Sequence, residues 1–242
     1  MIVALVLSSV LQLLLSSQCF LVLISSSHSS FVRARPDIVS SRASIFSRIM
    51  SEVDQISIDP AIDNSILNAS RDTFLAKNCS PDGRPFDKVV VGGAVFRYDA
   101  RDGSATAPRL LLLKRADHEA YFPGVFEIPG GKVDAQDASI KQAVAREVFE
   151  ESGLVVTKFL GELKPMLYTT EKIVDEHSGC RRVVVKRATQ LNYVVVVSRS
   201  EVTLNANEHS ESIWAFERDL DHLRTTDEMR KVIKEAFERF GV

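Results

Sequence analysis

Cysteine is scarce. Its three copies in 242 residues, Cys19, Cys79 and Cys180, include no CxxC pair, which excludes a zinc ribbon or a dense disulfide framework and reads as free thiols in a reducing compartment. A surplus charge of either sign is missing too. Thirty Lys+Arg against 32 Asp+Glu leave a net charge of -2, so no overall field draws the chain to nucleic acid or to an anionic membrane, and no nucleic-acid partner is expected. A polyphosphate ligand would need a local device. No internal repeat is visible. What is present is 45% hydrophobic residues, enough for one ordinary core.

Acids are missing from the N-terminus, where Asp37 is the only one before Glu52. Residues 2–24 are uncharged and mostly apolar, followed by serines and then Arg33, Arg35, Arg42 and Arg48. That run could just span a bilayer of about 20 residues or act as a signal sequence, although a signal normally carries a basic residue ahead of its apolar stretch. Basic residues on the far side favour a cytosolic globular part if the segment stays in a membrane. The competing reading starts the working protein at Met50 and treats residues 1–49 as a leader. Membrane association therefore rests on residues 2–24 alone. The expected location is cytoplasmic, with a membrane-anchored or organelle-targeted protein as the alternative, and nothing specifies an oligomer.

Residues 50–87 read as a loosely structured extension with one short helix around Ser70 to Lys77. The breakers in "CSPDGRPFD" place the start of the compact domain, residues 88–242, near Lys88. Beyond it, "KVVVGGAVFRY" and "RLLLLKRA" are apolar runs of strand length, and "FLGELKPMLYTT" and "RRVVVKRATQLNYVVVV" read as further strands separated by a polar loop around "DEHSG". Met229, Val232, Ile233, Ala236, Phe237 and Phe240 recur at helical spacing after a Thr225-x-x-Glu228 capping box, which predicts a C-terminal amphipathic helix.

The stretch "GGKVDAQDASIKQAVAREVFEESGL" (130–154) predicts a helix from about Ala138 to Ser152, with Asp137 as N-cap and Gly153 just past its end. At about 100° per residue, Glu147, Glu150 and Glu151 fall within about 100° of arc, in the sector that also holds Ile140, Val144 and Val148. Acids on a solvated face would point the other way. Carboxylates crowded beside an apolar stripe repel one another and hold their protons unless a cation sits among them. Hard oxygen ligands on one face suit Mg2+ or Mn2+, which complete their shells with water and substrate phosphate. Just upstream, Pro129-Gly130-Gly131 allows a sharp turn and close approach of the backbone to a ligand.

Together these residues resemble the Nudix box, in which a glycine is followed, after a fixed loop, by R-E-x-x-E-E-x-G. The matching positions are Gly131, Arg146, Glu147, Glu150, Glu151, Gly153 and Leu154, and the likeness covers about residues 88–240. The loop between Gly131 and Arg146 is one residue longer than in the family pattern, so the family's supportive loop glutamate maps to Asp137 counted forward and to Ala138 counted back.

The resemblance implies an α/β fold, a Nudix-type α/β/α sandwich with mixed β-sheet, and hydrolysis of a phosphoanhydride in a nucleoside diphosphate linked to another group. It makes Glu147, Glu151 and Gly130 the principal holders of Mg2+ or Mn2+, Glu150 a further ligand or base, and Arg146 an orienting group for the carboxylates. The expected partner is a small-molecule nucleotide. A nucleoside triphosphate, oxidised forms included, is favoured because Pro165 and Tyr168 stand too early for the pattern of ADP-ribose or dinucleotide hydrolases, which remain the alternative. Phe126, Glu127 and Glu211 are candidate substrate contacts, with Glu208 an equal candidate for the loop acid. Phe122 and Trp214 could join the nucleotide pocket, and Lys114 and Arg115 could face phosphate. His209 is expected on the loop surface. Two readings of other classes are a silent nucleotide-binding module, against which stands the presence of all three helix acids, and a membrane-anchored interaction protein resting only on residues 1–24.

Overall fold

A computed structural model describes residues 44, 47, 51–98, 107–175 and 181–241, with the backbone alone for 172–175. The leader, with its apolar run and arginines, lies outside the described residues. Among the described residues no helix is long and apolar enough to cross a membrane.

Strands β1 (Ser57–Ile58), β2 (Lys88–Arg97), β3 (Arg109–Arg115), β4 (Phe126–Glu127), β5 (Gly130–Lys132), β6 (Val156–Asp175), β7 (Arg181–Val197) and β8 (His209–Ala215) form one mixed sheet. The order is β1-β6-β7-β2-β3-β4, with β5 also on β2 and β8 also on β3. The β2–β7 and β1–β6 pairs are parallel and the remaining pairs are antiparallel. Strand β2 divides one edge between two partners, β5 opposite Val90–Gly92 and β3 opposite Phe96–Arg97, while β7 runs along its other edge from Lys88 to Val95.

The period-two alternation of the strands fills two cores. Val89, Val91, Val95, Leu111, Leu113, Leu191, Tyr193 and Val195 point to one side. Ala94, Leu110, Leu112 and Val194 point to the other. Helix α3 (Ile140–Ser152) covers the first face and α4 (Asp227–Phe240) the second. The result is the expected α/β/α sandwich with a mixed sheet. In α4 the predicted residues Met229, Val232, Ile233, Ala236 and Phe237 are all buried. Its N-cap is Thr226, whose side chain accepts from Met229 N–H, rather than Thr225, whose hydroxyl is buried without a partner.

The expected helix around Ser70 to Lys77 is present, with Ser70 as its N-cap, but residues 53–77 are more ordered than a loose extension. They form a 3-10 turn at Val53–Gln55, strand β1 and helices α1 (Asn64–Leu67) and α2 (Arg71–Lys77). Val53, Ile62, Leu67 and Phe74 are at most 5% exposed and join the same core as α3. Short elements separated by polar residues show too little periodicity to betray this packing; it becomes visible only once the face of α3 that they cover is known.

Candidate active site

Helix α3 begins at Ile140, with Ser139 as N-cap accepting from Gln142 N–H. Asp137, expected in that role, is instead buried and bidentate on Arg146, with Oδ1 to Nε at 2.9 Å and Oδ2 to Nη2 at 2.8 Å. The longer loop thus frees Asp137 from capping and lets a short acid reach the guanidinium. Of the two ways of counting the loop, the forward one meets the residue that contacts Arg146. The helix ends where predicted, at Gly153 with φ 72°, whose N–H returns to Phe149 O at 2.8 Å; the left-handed turn costs a residue without Cβ least.

Arg146 is a hub. Its Nη1 donates to Glu147 Oε1 and Glu150 Oε2, both at 2.9 Å, and its Nη2 donates to Lys132 O at 2.8 Å. One side chain therefore ties α3 to the Gly130–Lys132 strand. Gly131 belongs there because a Cβ at that position would stand 2.6 Å from Glu147 Oε1. The carboxylate of Glu147 rests where any larger residue would put its side chain.

Glu151 is 3% exposed, with Oε2 accepting from Gly130 N–H at 2.8 Å and Oε1 lying 3.1 Å from His209 Nε2. His209 is not on a loop surface: it is the first residue of β8 and 1% exposed. Neither ring nitrogen has a well-directed hydrogen-bond partner, so the close approach to Glu151 is an electrostatic contact off the N–H axis. Glu151, Glu208 and His209 present ligand atoms within 4.8 Å of one another. The polar residues around position 209 read as loop, and only the register of β8 turns His209 inward.

A cavity of about 980 Å³ opens beside this cluster, lined by Glu147, Glu151 and Glu208 and walled by Phe126, Ile128, Met166 and Tyr168. The structure brings Gly130, Arg146, Glu147, Glu150 and Glu151 together, with Glu150 half-exposed on the outer side of Arg146 rather than in the cavity wall. Phe122, Phe126 and Glu127 line the cavity, while Trp214 packs against the α3-side core with Arg97 over its ring. Glu211 lies away from the cavity, paired with Lys114 at 3.6 Å. Glu127 is committed to Arg115 at 2.8 Å, and Arg115 also holds Glu119 at 2.7 Å.

Around α3 and Arg115 the acids outnumber the cations. Two guanidinium groups, Arg115 and Arg146, serve Glu119, Glu127, Asp137, Glu147 and Glu150, with Glu151 and Glu208 added nearby. Burial, reinforced by Glu151 and Glu150 against the opposing pull of Arg146, pushes Glu147 up to about 8. Burial also raises Glu151, although His209 and the Gly130 N–H oppose it. His209 would be lowered by burial, but its contact with Glu151 and the charges of Glu127 and Glu208 reverse the direction. Arg146 is held firmly protonated: burial opposes its charge, and Asp137, Glu147 and Glu150 outweigh that. Buried carboxylates whose ionisation is opposed by burial, beside an imidazole with no well-directed hydrogen bond, fit a divalent cation of the Mg2+ or Mn2+ kind.

A model of the NUDIX domain family matches residues 89–236, more than half of the chain. Among curated proteins, the Nudix hydrolase NudL of Enterobacter sp. (strain 638) is 44% identical over 61 residues, covering 24% of this chain and 32% of the relative. NudL of Yersinia enterocolitica is 39% identical over 61 residues, 24% of this chain and 31% of its own. The chain thus spans about a third of the length of these relatives. Among solved structures, the NUDIX domain of Shewanella oneidensis NrtR in complex with ADP ribose has a TM-score of 0.46 at 21% identity, covering 68% of this chain and 95% of that one. A MutT protein from Methanosarcina mazei has a TM-score of 0.44 at 24% identity, covering 63% and 93%. With Gly131, Arg146, Glu147, Glu150 and Glu151 gathered around α3 and the family model matching residues 89–236, the chain belongs to the NUDIX domain family.

Proposed function

We propose that the protein is a Nudix pyrophosphohydrolase dependent on Mg2+ or Mn2+ that cleaves phosphoanhydrides of nucleoside diphosphate derivatives, a nucleoside triphosphate being the favoured substrate. The observation that carries this reading is the buried carboxylate pair Glu147 and Glu151 at the cavity head, short of positive charge and fixed by Arg146 and Gly130.

Glu147 and Glu151 would hold the cation, with Gly130 beside them and Glu150 a further ligand or the base. Glu208 is the loop acid that reaches the cavity. A bound divalent cation supplies polarisation of the phosphoryl oxygens and a water of lowered pKa. Arg146 acts through the acids: it fixes Glu147 and Glu150 in register and keeps Asp137 from competing for the cation. Phe126, Ile128 and Met166 offer an apolar wall against which a base can lie with water excluded. A second reading, an ADP-ribose or dinucleotide substrate, is favoured by the cavity itself, because about 980 Å³ stands at the upper end of small-ligand sites.

Incubating a chain that begins at Met50 with nucleoside triphosphates, ADP-ribose, NADH and diadenosine polyphosphates in Mg2+, and weighing the products, decides between them. Preferential release of a nucleoside monophosphate and pyrophosphate from a triphosphate is expected. Preferential cleavage of ADP-ribose or a dinucleotide would replace the favoured substrate, and binding without cleavage would make the protein a silent nucleotide-binding module.

A further inference from the structure

The cavity also carries positive charge. Lys88, Lys132 and Lys186 all line it, one each from β2, β5 and β7. The register shows how they meet. Lys132 stands opposite Val90, two residues along β2 from Lys88, and Lys88 stands opposite Ala188, two residues along β7 from Lys186. Each step is a diagonal of about 7–8 Å on one face of the sheet, within reach of a lysine side chain. The row starts beside the carboxylates, since Lys132 O accepts from Arg146, and leads away from them across β2 to β7.

These lysines lack anionic partners. Among the described residues the lysines in ion pairs are Lys114, Lys141 and Lys231, not these three. Lys88 Nζ donates to Thr170 Oγ1 at 3.2 Å and lies over the Tyr168 ring at 5.6 Å. The nearby acid, Asp87, has Oδ2 occupied by the Arg187 N–H at 2.6 Å. Burial lowers Lys88, and the charges of Lys132 and Lys186 lower it further against the weaker pull of Asp87. Three cations that line one cavity and pair with no acid in a salt bridge make a favourable place for an anion.

We propose that Lys88, Lys132 and Lys186 form an anion subsite that takes a phosphate of the substrate beyond the two flanking the scissile bond. This rests on the hydrolase reading and extends it: the carboxylates and their cation take the bond that breaks, and the lysine row selects substrates bearing a further phosphate. A nucleoside triphosphate meets that requirement and a nucleoside diphosphate does not.

The test uses the full chain in excess Mg2+ with inorganic probes, so that it does not depend on turnover. Calorimetric titrations with tripolyphosphate, pyrophosphate and orthophosphate are run on the wild type, Lys88→Gln, Lys186→Gln and Lys231→Gln. Loss of one charge-assisted contact should weaken tripolyphosphate binding about tenfold in each of the first two variants, with pyrophosphate changed less than about twofold and Lys231→Gln like wild type. A parallel assay of ATP against ADP should show KM for ATP rising in Lys88→Gln and Lys186→Gln with kcat held. Charge-dependent tripolyphosphate binding without any hydrolysis would sustain the subsite while defeating the enzyme reading. Equal binding of the two polyphosphates by all proteins would overturn the subsite, as would an equal loss in Lys231→Gln. Orthophosphate binding lost in the lysine variants, with the tripolyphosphate to pyrophosphate ratio intact, would overturn the substrate role and leave free phosphate as the occupant.

Discussion

Glu147 should make the cation-free protein less stable as the pH rises, and Glu147→Gln should remove that dependence. Its carboxyl is raised from 4.5 to about 8 in the folded state, chiefly by burial. Folded protein therefore binds more protons than unfolded protein between those values, and stability must fall as pH climbs through the window and level off above it. Linkage gives a penalty of about 1 kcal/mol at pH 5, about 3 kcal/mol at pH 7 and about 4 kcal/mol at pH 8. Glutamine keeps the shape and cannot ionise. In excess chelator Glu147→Gln should thus melt above wild type by about 5–10 °C at pH 7, with the gap widening from pH 5 to pH 8. Adding Mg2+ or Mn2+ should reverse the order, because the cation stabilises only the protein that still has its ligand, and turnover of the variant should be nearly lost. Scanning calorimetry across pH, with and without chelator, reads all of this. A variant that melts at or below wild type at pH 8 in chelator would refute the assignment of Glu147 as a buried acid held for a cation.

Removing one partner from the buried Asp137–Arg146 pair should be expensive: Asp137→Ala is expected to lower stability by about 3–5 kcal/mol, measured by urea unfolding, and a loss under 1 kcal/mol would place Asp137 in solvent. Between the two loop acids, Glu208→Gln should reduce kcat at least tenfold and Glu211→Gln should leave it near wild type; the reverse order in steady-state assays would contradict the cavity geometry. Truncation should separate the leader from the core. A chain starting at Met50 should keep the fold, whereas one starting at Lys88 loses Phe74, Leu67, Ile62 and Val53 and should fail to give a cooperative melt, since Phe74→Ala alone is worth about 3–5 kcal/mol.

The parts of this fold written in short-range periodicity could be read from the chain. Helix α4 announces itself in its apolar spacing, and the expected placing of the α3 acids in the buried sector holds for Glu147 and Glu151 but not for the half-exposed Glu150. Sites that depend on register could not be read. The choice of Glu208 over Glu211 turns on which residue begins β8, and the polarity of "NANEHSES" hides that His209 points inward. The lysine row draws on residues 88, 132 and 186, which only the pairing of three strands makes neighbours. Asp137, expected as the N-cap, yields that place to Ser139 and pairs with Arg146 instead.

The long β6–β7 hairpin has a consequence for motion. Among the described residues β2 pairs with β7 from Ala188 to Val195, and β1 pairs with β6 at Lys158 and Phe159. Beyond that, among the described residues, Thr170–Asp175 pair only with Arg181–Lys186, and a two-stranded ribbon is marginal in water. Amide exchange along β7 should therefore quicken from Val194 toward Arg181. Tyr168, Thr170 and Lys186 line the cavity at the start of that ribbon, so exchange should separate its two walls, the β2 side slow and the ribbon side opening and reclosing before global unfolding.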